Sequence, residues 1–216
     1  MKRIMLIAAV AFMAMFTAQN ASAGLLGKGL GVTAGANFSS IDGVQELNLK
    51  QAAGFNLGAV YDFAIPVPVI GFHIQPSLTY TMKSASLGVE SLADFASMDF
   101  SVGYLELMAS IQPGIDLLAL RAFLDISPYV GYAVNGTGDI KGLWQEDAIN
   151  KLQWGLGLGA GVNVWKLQLV ARYNWNFGGL MKTVDAVDQG FGALDAYKTL
   201  KGANFGGVTV SAVYFF

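Results

Sequence analysis

Residues 151–177 read KLQWGLGLGAGVNVWKLQLVARYNWNF, and large apolar side chains recur at every second position of this stretch. From Leu152 to Val164 they occupy the even positions, separated mainly by glycine and amide residues. From Trp165 to Phe177 they occupy the odd positions, so the phase reverses at Val164-Trp165. Because successive side chains of a strand point to opposite faces, the stretch predicts a hairpin of two long strands with a very tight turn. One face is apolar and aromatic and the other is polar, which is typical of a membrane-spanning β-barrel.

The first residues have the pattern of a secretory signal peptide. Met1-Lys2-Arg3 is basic, residues 4–16 are apolar, and Ala21-Ser22-Ala23 is a triplet of small residues. This order predicts cleavage after Ala23, and the apolar run is short for a membrane helix. A retained N-terminal anchor is the alternative. We therefore divide the chain into a signal peptide, residues 1–23, and one β-barrel domain, residues 24–216.

The composition excludes several classes of protein. The chain has 216 residues, of which 13% are charged and 54% hydrophobic, with one histidine and no cysteine. Ordinary soluble domains have about 25% charged residues, yet no run after residue 23 reaches the roughly 18 apolar residues of a membrane helix. High hydrophobicity without such a run is what alternation in a barrel produces. The net charge of −2 gives no reason to expect nucleic acid as a partner. One histidine without cysteine argues against a transition-metal site, and we expect no cofactor.

Eight segments carry the alternating pattern. They are Leu30–Phe38, Ala52–Phe63, Gly71–Lys83, Val102–Gln112, Ala122–Val134, Lys151–Val164, Trp165–Phe177 and Phe205–Phe216. Connections after odd-numbered segments are long, up to Gly178–Asn204, and those after even-numbered segments are shorter, such as Pro113–Arg121. Outer-membrane barrels keep short turns in the periplasm and long loops outside. The sequence therefore predicts an all-β fold, an eight-stranded antiparallel transmembrane β-barrel in the cell outer membrane, with both termini in the periplasm.

Aromatic residues cluster near the ends of the predicted strands. We place them in an outer belt of Phe38, Tyr80, Tyr132, Trp154 and Trp175 and an inner belt of Tyr61, Phe72, Trp165, Tyr214 and Phe216. Two such belts are expected where amphipathic rings lie at the headgroup depth of a membrane. The alternative is that aromatic residues are simply common in strands, but this does not explain their scarcity in the middle of the segments.

Alternation turns a polar set of side chains toward the barrel interior. The set is Asn56, Asp62, His73, Gln75, Thr79, Lys83, Glu106, Asp125, Gln153, Gln168, Arg172 and Asn174. Side chains just fill the interior of an eight-stranded barrel, and buried charges must be paired. We expect a structural polar network of Lys83, Glu106, Asp125, Arg172 and His73, in which Glu106 and Arg172 meet across the lumen with the other two charges between them. A gated proton or ion path is the alternative.

No catalytic set is visible in the sequence. His73 and Ser77 share a face but lie about 13 Å apart along a strand, at roughly 3.3 Å per residue, so they cannot form the hydrogen-bonded pair of a nucleophile and its base. The glycines at 155, 157, 159 and 161 alternate within a strand, whereas a phosphate-binding loop precedes a helix. We interpret them as room for bulky neighbours across the lumen, and we expect that the protein is not an enzyme.

Several short motifs occur in the order of a known family. They are Gly31-Val32-Thr33-Ala34-Gly35-Ala36-Asn37-Phe38-Ser39, then Phe72-His73-Ile74-Gln75-Pro76-Ser77-Leu78-Thr79-Tyr80-Thr81-Met82-Lys83, Tyr104-Leu105-Glu106-Leu107, Pro128-Tyr129-Val130-Gly131-Tyr132, the glycine-rich run from Gly155 to Gly161, Ala171-Arg172-Tyr173 and Val213-Tyr214-Phe215-Phe216. Together they resemble the PorT-like outer-membrane β-barrel family over nearly all of the chain after residue 23. Met108 stands where the family usually has proline. The resemblance implies an eight-stranded outer-membrane barrel but no particular role, because one named member serves protein secretion and most have no assigned role.

Two classes of function remain. The first is a non-enzymatic structural or interaction barrel with a filled lumen and four external loops, an accessory of a secretion or envelope complex. Its expected partners are outer-membrane lipid and lipopolysaccharide, periplasmic chaperones, the barrel-assembly machinery and a protein bound through the external loops. The second is a secreted soluble ligand-binding barrel of the lipocalin type, with its apolar face inward. A small-pore channel or an enzyme comes third, since eight strands leave little space for a channel.

Overall fold

A computed structural model describes residues 27–42, 48–65, 70–88, 98–117, 120–138, 150–178 and 204–216. These residues form eight strands. They are β1 (Gly29–Asp42), β2 (Asn48–Ile65), β3 (Gly71–Gly88), β4 (Met98–Leu117), β5 (Leu120–Gly138), β6 (Leu152–Val164), β7 (Leu167–Asn176) and β8 (Asn204–Phe215). Every strand is antiparallel to its sequence neighbours, and β8 pairs with β1 to close a barrel. The predicted fold class is confirmed.

The strand register shows how far the strands are staggered. Following the paired residues once around the barrel leads from Phe63 on β2 back to Ala53 on the same strand, ten residues away. The path runs Phe63, Ile74, Ile111, Ile126, Leu158, Tyr173, Val208, Phe38, Ala53. A closed barrel with a staggered register has strands that tilt by about 35–45° from the barrel axis. The residues along the path are all apolar, and they encircle the outer surface.

Polar and apolar residues are distributed in the reverse of a soluble protein. The buried side chains are mostly amides, hydroxyls and charges, among them Asp62, Gln112 and Gln168 with no accessible surface. Large apolar side chains are exposed instead, including Leu57, Leu124 and Trp154. A soluble protein buries its apolar residues, so this surface requires an apolar surrounding. The lipocalin-type alternative is therefore wrong, because it needs the opposite orientation of the two faces.

The two ends of the barrel differ in their connections. At one end, called here the short-turn end, the strands are joined by residues 66–70, 118–119 and 165–166. The other end, called the long-connection end, carries 43–47, 89–97, 139–151 and 177–203. The start of β1 at Gly29 and the end of β8 at Phe215 both lie at the short-turn end. None of the described residues forms a helix that is long and apolar enough to cross a membrane.

Several strands are longer than predicted. The connection predicted at Pro113–Arg121 is wrong, because β4 continues to Leu117 and β5 begins at Leu120, with Asp116 paired to Arg121. Pro113, with which the predicted connection begins, lies within β4 and pairs with Phe72 of β3. The predicted connection after β1 also shrinks to residues 43–47, because β1 and β2 extend toward each other.

The tight hairpin from which the fold was predicted has a turn of two residues. Val164 pairs with Leu167, and Trp165 and Lys166 connect them. Trp165 has φ of 51°, a left-handed conformation that is uncommon outside glycine. Two-residue hairpins favour such positive φ values because they match the twist of the strands. The predicted phase reversal is therefore correct, but the turn lies one residue later than Val164-Trp165.

The wall of the barrel is taller on one side. At the long-connection end β3, β4 and β5 extend to Gly88, Met98 and Gly138, whereas β6 begins at Leu152 and β7 ends at Asn176. The β5–β6 register ends at Tyr132 paired with Leu152, and β5 continues for six residues beyond it. On the outer face of this extension the exposed side chains become polar, as at Asn135 and Thr137. Ser84 and Ser101 also bond to each other there, at 2.8 Å.

Candidate functional site in the barrel lumen

One buried ion pair in the lumen joins β5 and β7 across β6. Arg172 Nε donates to Asp125 Oδ1 at 2.6 Å and Arg172 Nη2 donates to Asp125 Oδ2 at 3.2 Å. The strand between them carries Gly159, which is in register with both residues. Because glycine has no side chain, the guanidinium can lie over β6 and reach the carboxylate. The bidentate geometry suits an arginine–carboxylate pair.

This pair belongs to a chain of hydrogen bonds that we call the Arg172 network. Its members are Arg172, Asp125, Gln112, Gln75, Gln168, Asp62 and His73, with Ser110 and Ser127 beside them. Gln112 Nε2 donates to Asp125 at 2.9 Å and to Gln75 at 3.0 Å, and Gln75 Nε2 donates to Asp62 at 2.7 Å. The network crosses the lumen toward the short-turn end. Each carboxylate in it accepts several hydrogen bonds, which offsets the cost of burying its charge.

A second group, the Lys83 network, lies toward the long-connection end. It consists of Lys83, Glu106, Thr81, Gln153 and Asn176. Lys83 Nζ lies 2.9 Å from Glu106 Oε1 and donates to Gln153 Oε1 at 3.2 Å. Gln153 Nε2 also donates to Glu106, at 2.6 Å. Gly131 separates Glu106 from Gln153 in the register, and a Cβ atom there would lie 2.7 Å from Gln153 Nε2. The missing side chain again allows contact across a strand.

A third set of amides and hydroxyls lies along β1 and β8. Asn37 Oδ1 accepts from Asn56 Nδ2 and from Thr209 Oγ1, both at 3.0 Å. Asn174 Nδ2 donates to Thr209 at 2.9 Å, and Ser211 donates to Asn56 at 3.2 Å. This set carries no charge, so it closes its side of the lumen with neutral hydrogen bonds alone.

The three groups surround a small cavity. Its volume is about 50 Å³, and Lys83, Glu106, Arg172, Asn56 and Asn174 are among the residues that line it. A single water needs roughly 10–15 Å³ of such space, so the cavity has room for a few water molecules. Members of both the Lys83 network and the Arg172 network line it.

The structure places all five predicted network residues inside the barrel but gives the charges other partners than expected. Lys83, Glu106, Asp125 and His73 are buried, and Arg172 is nearly so. The expected meeting of Glu106 with Arg172 is wrong, because Glu106 pairs with Lys83 and Arg172 with Asp125. Alternation identifies the face of a side chain, whereas the choice of partner depends on the register across the intervening strand.

His73 lies at the short-turn end of the Arg172 network. Its Nδ1 lies 2.9 Å from Asp62 Oδ1 and 3.0 Å from Asp62 Oδ2. A carboxylate in this position fixes the orientation of an imidazole, as the acid of a catalytic triad does. No hydroxyl is among the partners found for His73 within the described part of the chain. The same residues contain no group of three or more His, Cys, Asp or Glu side chains that could hold a metal ion.

The chain that enters β1 lies across the short-turn mouth of the lumen. The backbone N–H of Lys28 donates to Asp62 Oδ2 at 2.7 Å, and its Nζ donates to the carbonyl of Trp165 at 2.5 Å. The same ammonium lies 5.3 Å from the centre of the Phe215 ring. Partial burial lowers the pKa of Lys28, against the opposing effect of Asp62, and nearby Arg121 lowers it further. Lys28 thus ties the start of β1 to the β6–β7 turn and to the end of β8.

Several important lumen residues were missed in the sequence. Arg121 was assigned to a connection, yet it is buried and donates to the carbonyl of Gln112. Gln112, Tyr104 and Tyr129 are inward-facing and buried as well. The signal was available: Tyr104 and Gln112 share the phase of Glu106, and Tyr129 shares that of Asp125. Aromatic residues were expected in the outer belts, and so their inward phase was overlooked.

The ten belt residues all lie on the outer surface. Seven are exposed, and Tyr61, Phe72 and Tyr80 are half-buried. Trp165 is the most exposed of them, at 78%. Their rings also contact other aromatic residues of the surface, as Trp175 does with Tyr173 at 4.7 Å and Tyr214 with Phe216 at 5.8 Å between centroids. The belts therefore occupy the face that the membrane would contact.

The chain is similar to a solved structure and to a sequence profile of known proteins. No curated protein matches the sequence significantly. Among solved structures, the crystal structure of Neisserial surface protein A (NspA) is similar, with 17% sequence identity, a TM-score of 0.46, and coverage of 87% of this chain and 97% of that one. The sequence profile of the outer membrane protein beta-barrel domain matches residues 17–182. The match includes β1 to β7 and most of the chain, and the protein therefore belongs to the outer membrane protein beta-barrel domain family.

Proposed function

We propose that the protein is a non-enzymatic scaffold of the outer membrane that blocks its own lumen and binds a protein partner at its outer end. The observation that carries this proposal is the filling of the lumen by three hydrogen-bonded groups around a cavity of only about 50 Å³. A conducting barrel needs a continuous aqueous path, and eight-stranded barrels have interiors that side chains just fill.

The ion pairs give the blocked lumen its rigidity. The side chain of Asp125 has no accessible surface, and Glu106 and Lys83 are each less than 10% exposed. Opening the lumen would separate at least one of these pairs and leave buried charges without partners, which is strongly unfavourable. This cost supports a permanent structural role for the interior.

The long-connection end supports an interaction role outside the cell. Short turns of outer-membrane barrels face the periplasm and long connections face outward, so residues 177–203 and the tall wall of β3, β4 and β5 would be external. The outer face of that wall changes from apolar at Leu105 and Tyr132 to polar at Asn135 and Thr137. We propose that the wall leaves the membrane at this level and presents a rigid sheet to a partner.

The non-enzymatic part of the proposal rests on the side chains of the lumen. His73 is held by Asp62, and the partners found for it in the described part of the chain include no nucleophile. Lys83 and Glu106 pair with each other, as do Arg172 and Asp125. A base without a nucleophile within hydrogen-bond reach does not meet the geometric requirement for covalent catalysis.

The proposed place of the protein beside a particular complex rests on the motifs of the sequence. The resemblance to the PorT-like family supports a place beside a secretion or envelope complex. The proposed partners are outer-membrane lipid and lipopolysaccharide, the periplasmic chaperones and barrel-assembly machinery that deliver such barrels, and a protein bound at the external connections. Nucleic acid is not among them, since the chain carries no excess of basic residues.

Conductance and surface labelling together test this function. We expect the purified barrel to insert into planar bilayers without producing stable current steps. A cysteine at Gly190 should react with a membrane-impermeant thiol reagent on intact cells, and the same cysteine should crosslink to a partner there. As the matched control, a cysteine at Lys166 should react only after the outer membrane is opened. Stable channels, or the reverse labelling pattern, would contradict the proposal.

A further inference from the structure

Lys83 has an environment unlike that of the other lumen cations. Its Nζ lies 5.3 Å from the centre of the Tyr104 ring and 5.1 Å from that of Tyr129. Both rings are buried, with Tyr104 1% and Tyr129 6% exposed. A cation within about 6 Å of a ring centre is attracted by the ring's quadrupole, and the attraction grows when water is excluded. The same ammonium also has the carboxylate of Glu106 and the amide oxygen of Gln153 as acceptors.

The groups around this ammonium are held in place by other residues. Glu106 Oε2 accepts from the hydroxyl of Thr81 at 2.6 Å, and Gln153 Oε1 accepts from Asn176 Nδ2 at 3.0 Å. Gln153 is further fixed through the bond from its Nε2 to Glu106. None of these three bonds involves Lys83. The carboxylate, amide oxygen and rings would therefore keep their arrangement if the lysine side chain were removed.

Lys83 also stands between two spaces. It lines the cavity of about 50 Å³ in the middle of the lumen. It lines a second, smaller cavity of about 10 Å³ as well, together with Ser39, Gly206 and Gly207. Ser39 and Gly207 pair with each other near the long-connection end of β1 and β8. The ammonium thus lies at the outer limit of the central cavity, where a small molecule from the long-connection end would arrive.

From these contacts we infer that Tyr104, Tyr129, Glu106 and Gln153 form a binding site for a primary ammonium group, which Lys83 occupies as a tethered internal ligand. The carboxylate and the amide oxygen accept hydrogen bonds from the ammonium, and the two rings contribute cation–π attraction. With the side chain of Lys83 removed, the site should take up a small alkylammonium ion from solution. The inference is independent of the scaffold function, since it concerns the chemistry of one site inside the barrel.

The Arg172 pair provides a matched contrast within the same lumen. Arg172 also neutralises a buried carboxylate, but the ring–cation contacts of the described residues assign it no aromatic partner. Its acceptor geometry is bidentate and fits a planar guanidinium, which differs from a compact ammonium in shape and hydrogen bonding. An alkylammonium ion should therefore not replace Arg172.

The test is chemical rescue of the Lys83→Ala barrel in detergent micelles. n-Propylammonium replaces the atoms from Cγ to Nζ that the substitution removes. We expect Lys83→Ala to lower the thermal midpoint, read from the mobility of unheated and heated samples on a gel, by several degrees. n-Propylammonium chloride should restore most of the loss in a saturable way, while sodium chloride or n-propanol at the same concentration should not.

Two further variants identify the binding groups. Adding Tyr129→Leu to Lys83→Ala should raise the dissociation constant of n-propylammonium about 3-fold or more, because one ring contact is lost. The thermal midpoint of Arg172→Ala should rise no more with n-propylammonium chloride than with sodium chloride. If Lys83→Ala does not fold alone, its refolding yield with n-propylammonium becomes the measurement. Rescue that sodium chloride matches, equal rescue of Arg172→Ala, or a yield that stays at zero would each overturn the site.

Discussion

Strands β4 and β6 fill the lumen in opposite ways. Four of the inward positions of β4 carry large side chains, namely Tyr104, Glu106, Met108 and Gln112, with the smaller Ser110 between them. Those of β6 carry glycine at four consecutive positions, from Gly155 to Gly161, between Gln153 and Asn163. We call this glycine-rich inner face of β6 the thin wall. Side chains of the two neighbouring strands meet over it, since Arg172 of β7 reaches Asp125 of β5 over Gly159. The glycines of one strand therefore decide which charges of two others can pair.

The largest effect should come from breaking the pair over the thin wall. Asp125→Ala leaves the Arg172 guanidinium buried without its carboxylate, and we expect the free energy of unfolding to fall by about 3–5 kcal/mol. The measurement is equilibrium unfolding by urea in micelles. Asp116→Ala is the control, because Asp116 pairs with Arg121 at 3.4 Å but its side chain is 58% exposed. Arg121 is itself buried, but it keeps its bonds to Gln112 when Asp116 is removed. We therefore expect a smaller loss for Asp116→Ala, and equal losses in the two variants would contradict the assignment.

A side chain added to the thin wall should have the next largest effect. In Gly159→Val the new Cβ would come within 2.9 Å of Arg172 Cα and closer still to the backbone of Ala171. Overpacking of this kind costs about 1–3 kcal/mol, and more when backbone must move. Ala160→Val adds the same kind of atoms to the exposed face of the same strand, and we expect it to change stability little. If Gly159→Val left stability unchanged, the backbone of β7 could not lie as close to Gly159 as the structure has it.

The separation of the two ion pairs can be measured by double-mutant cycles. Asp125 and Arg172 touch, so their cycle should give an interaction energy of about 0.5–3 kcal/mol. Glu106 and Arg172 have different partners, and their effects should add to within about 0.5 kcal/mol. The free energies of unfolding of the single and double variants, from equilibrium unfolding by urea, supply both values. A strong coupling between Glu106 and Arg172 would restore the pairing first expected from the sequence.

The smallest effect concerns the turn that ends the thin wall. Trp165 has φ of 51°, and glycine adopts this conformation without steric cost. Trp165→Gly should therefore raise stability in detergent by up to about 1 kcal/mol. Lys166→Gly, at the neighbouring position without a positive φ, should lower it slightly, because it only adds freedom to the unfolded chain. Opposite signs for the two variants in urea unfolding confirm the turn geometry, and equal signs contradict it.

Most of the fold was predictable because it depends on a period of two. Alternation in residues 152–164 and 167–176 gives the face of each side chain, and the structure keeps those faces. The boundaries were less predictable where the pattern is weak. Around Pro113 and Arg121 the apolar run Ile115–Leu120 contains Asp116 and no clear alternation, and the strands there proved longer than expected.

The sequence by itself determined an antiparallel barrel of eight strands, an apolar exterior and a polar interior, since these follow from which residues share a face. Only the tertiary structure decided the partners inside. Glu106, Asp125, Lys83 and Arg172 come from four strands, and their pairing depends on the register between neighbouring strands and, for Arg172 and Asp125, on Gly159 of the strand between them. Alternation is a local property of one strand, whereas contact across the lumen is fixed only when all eight strands are in register.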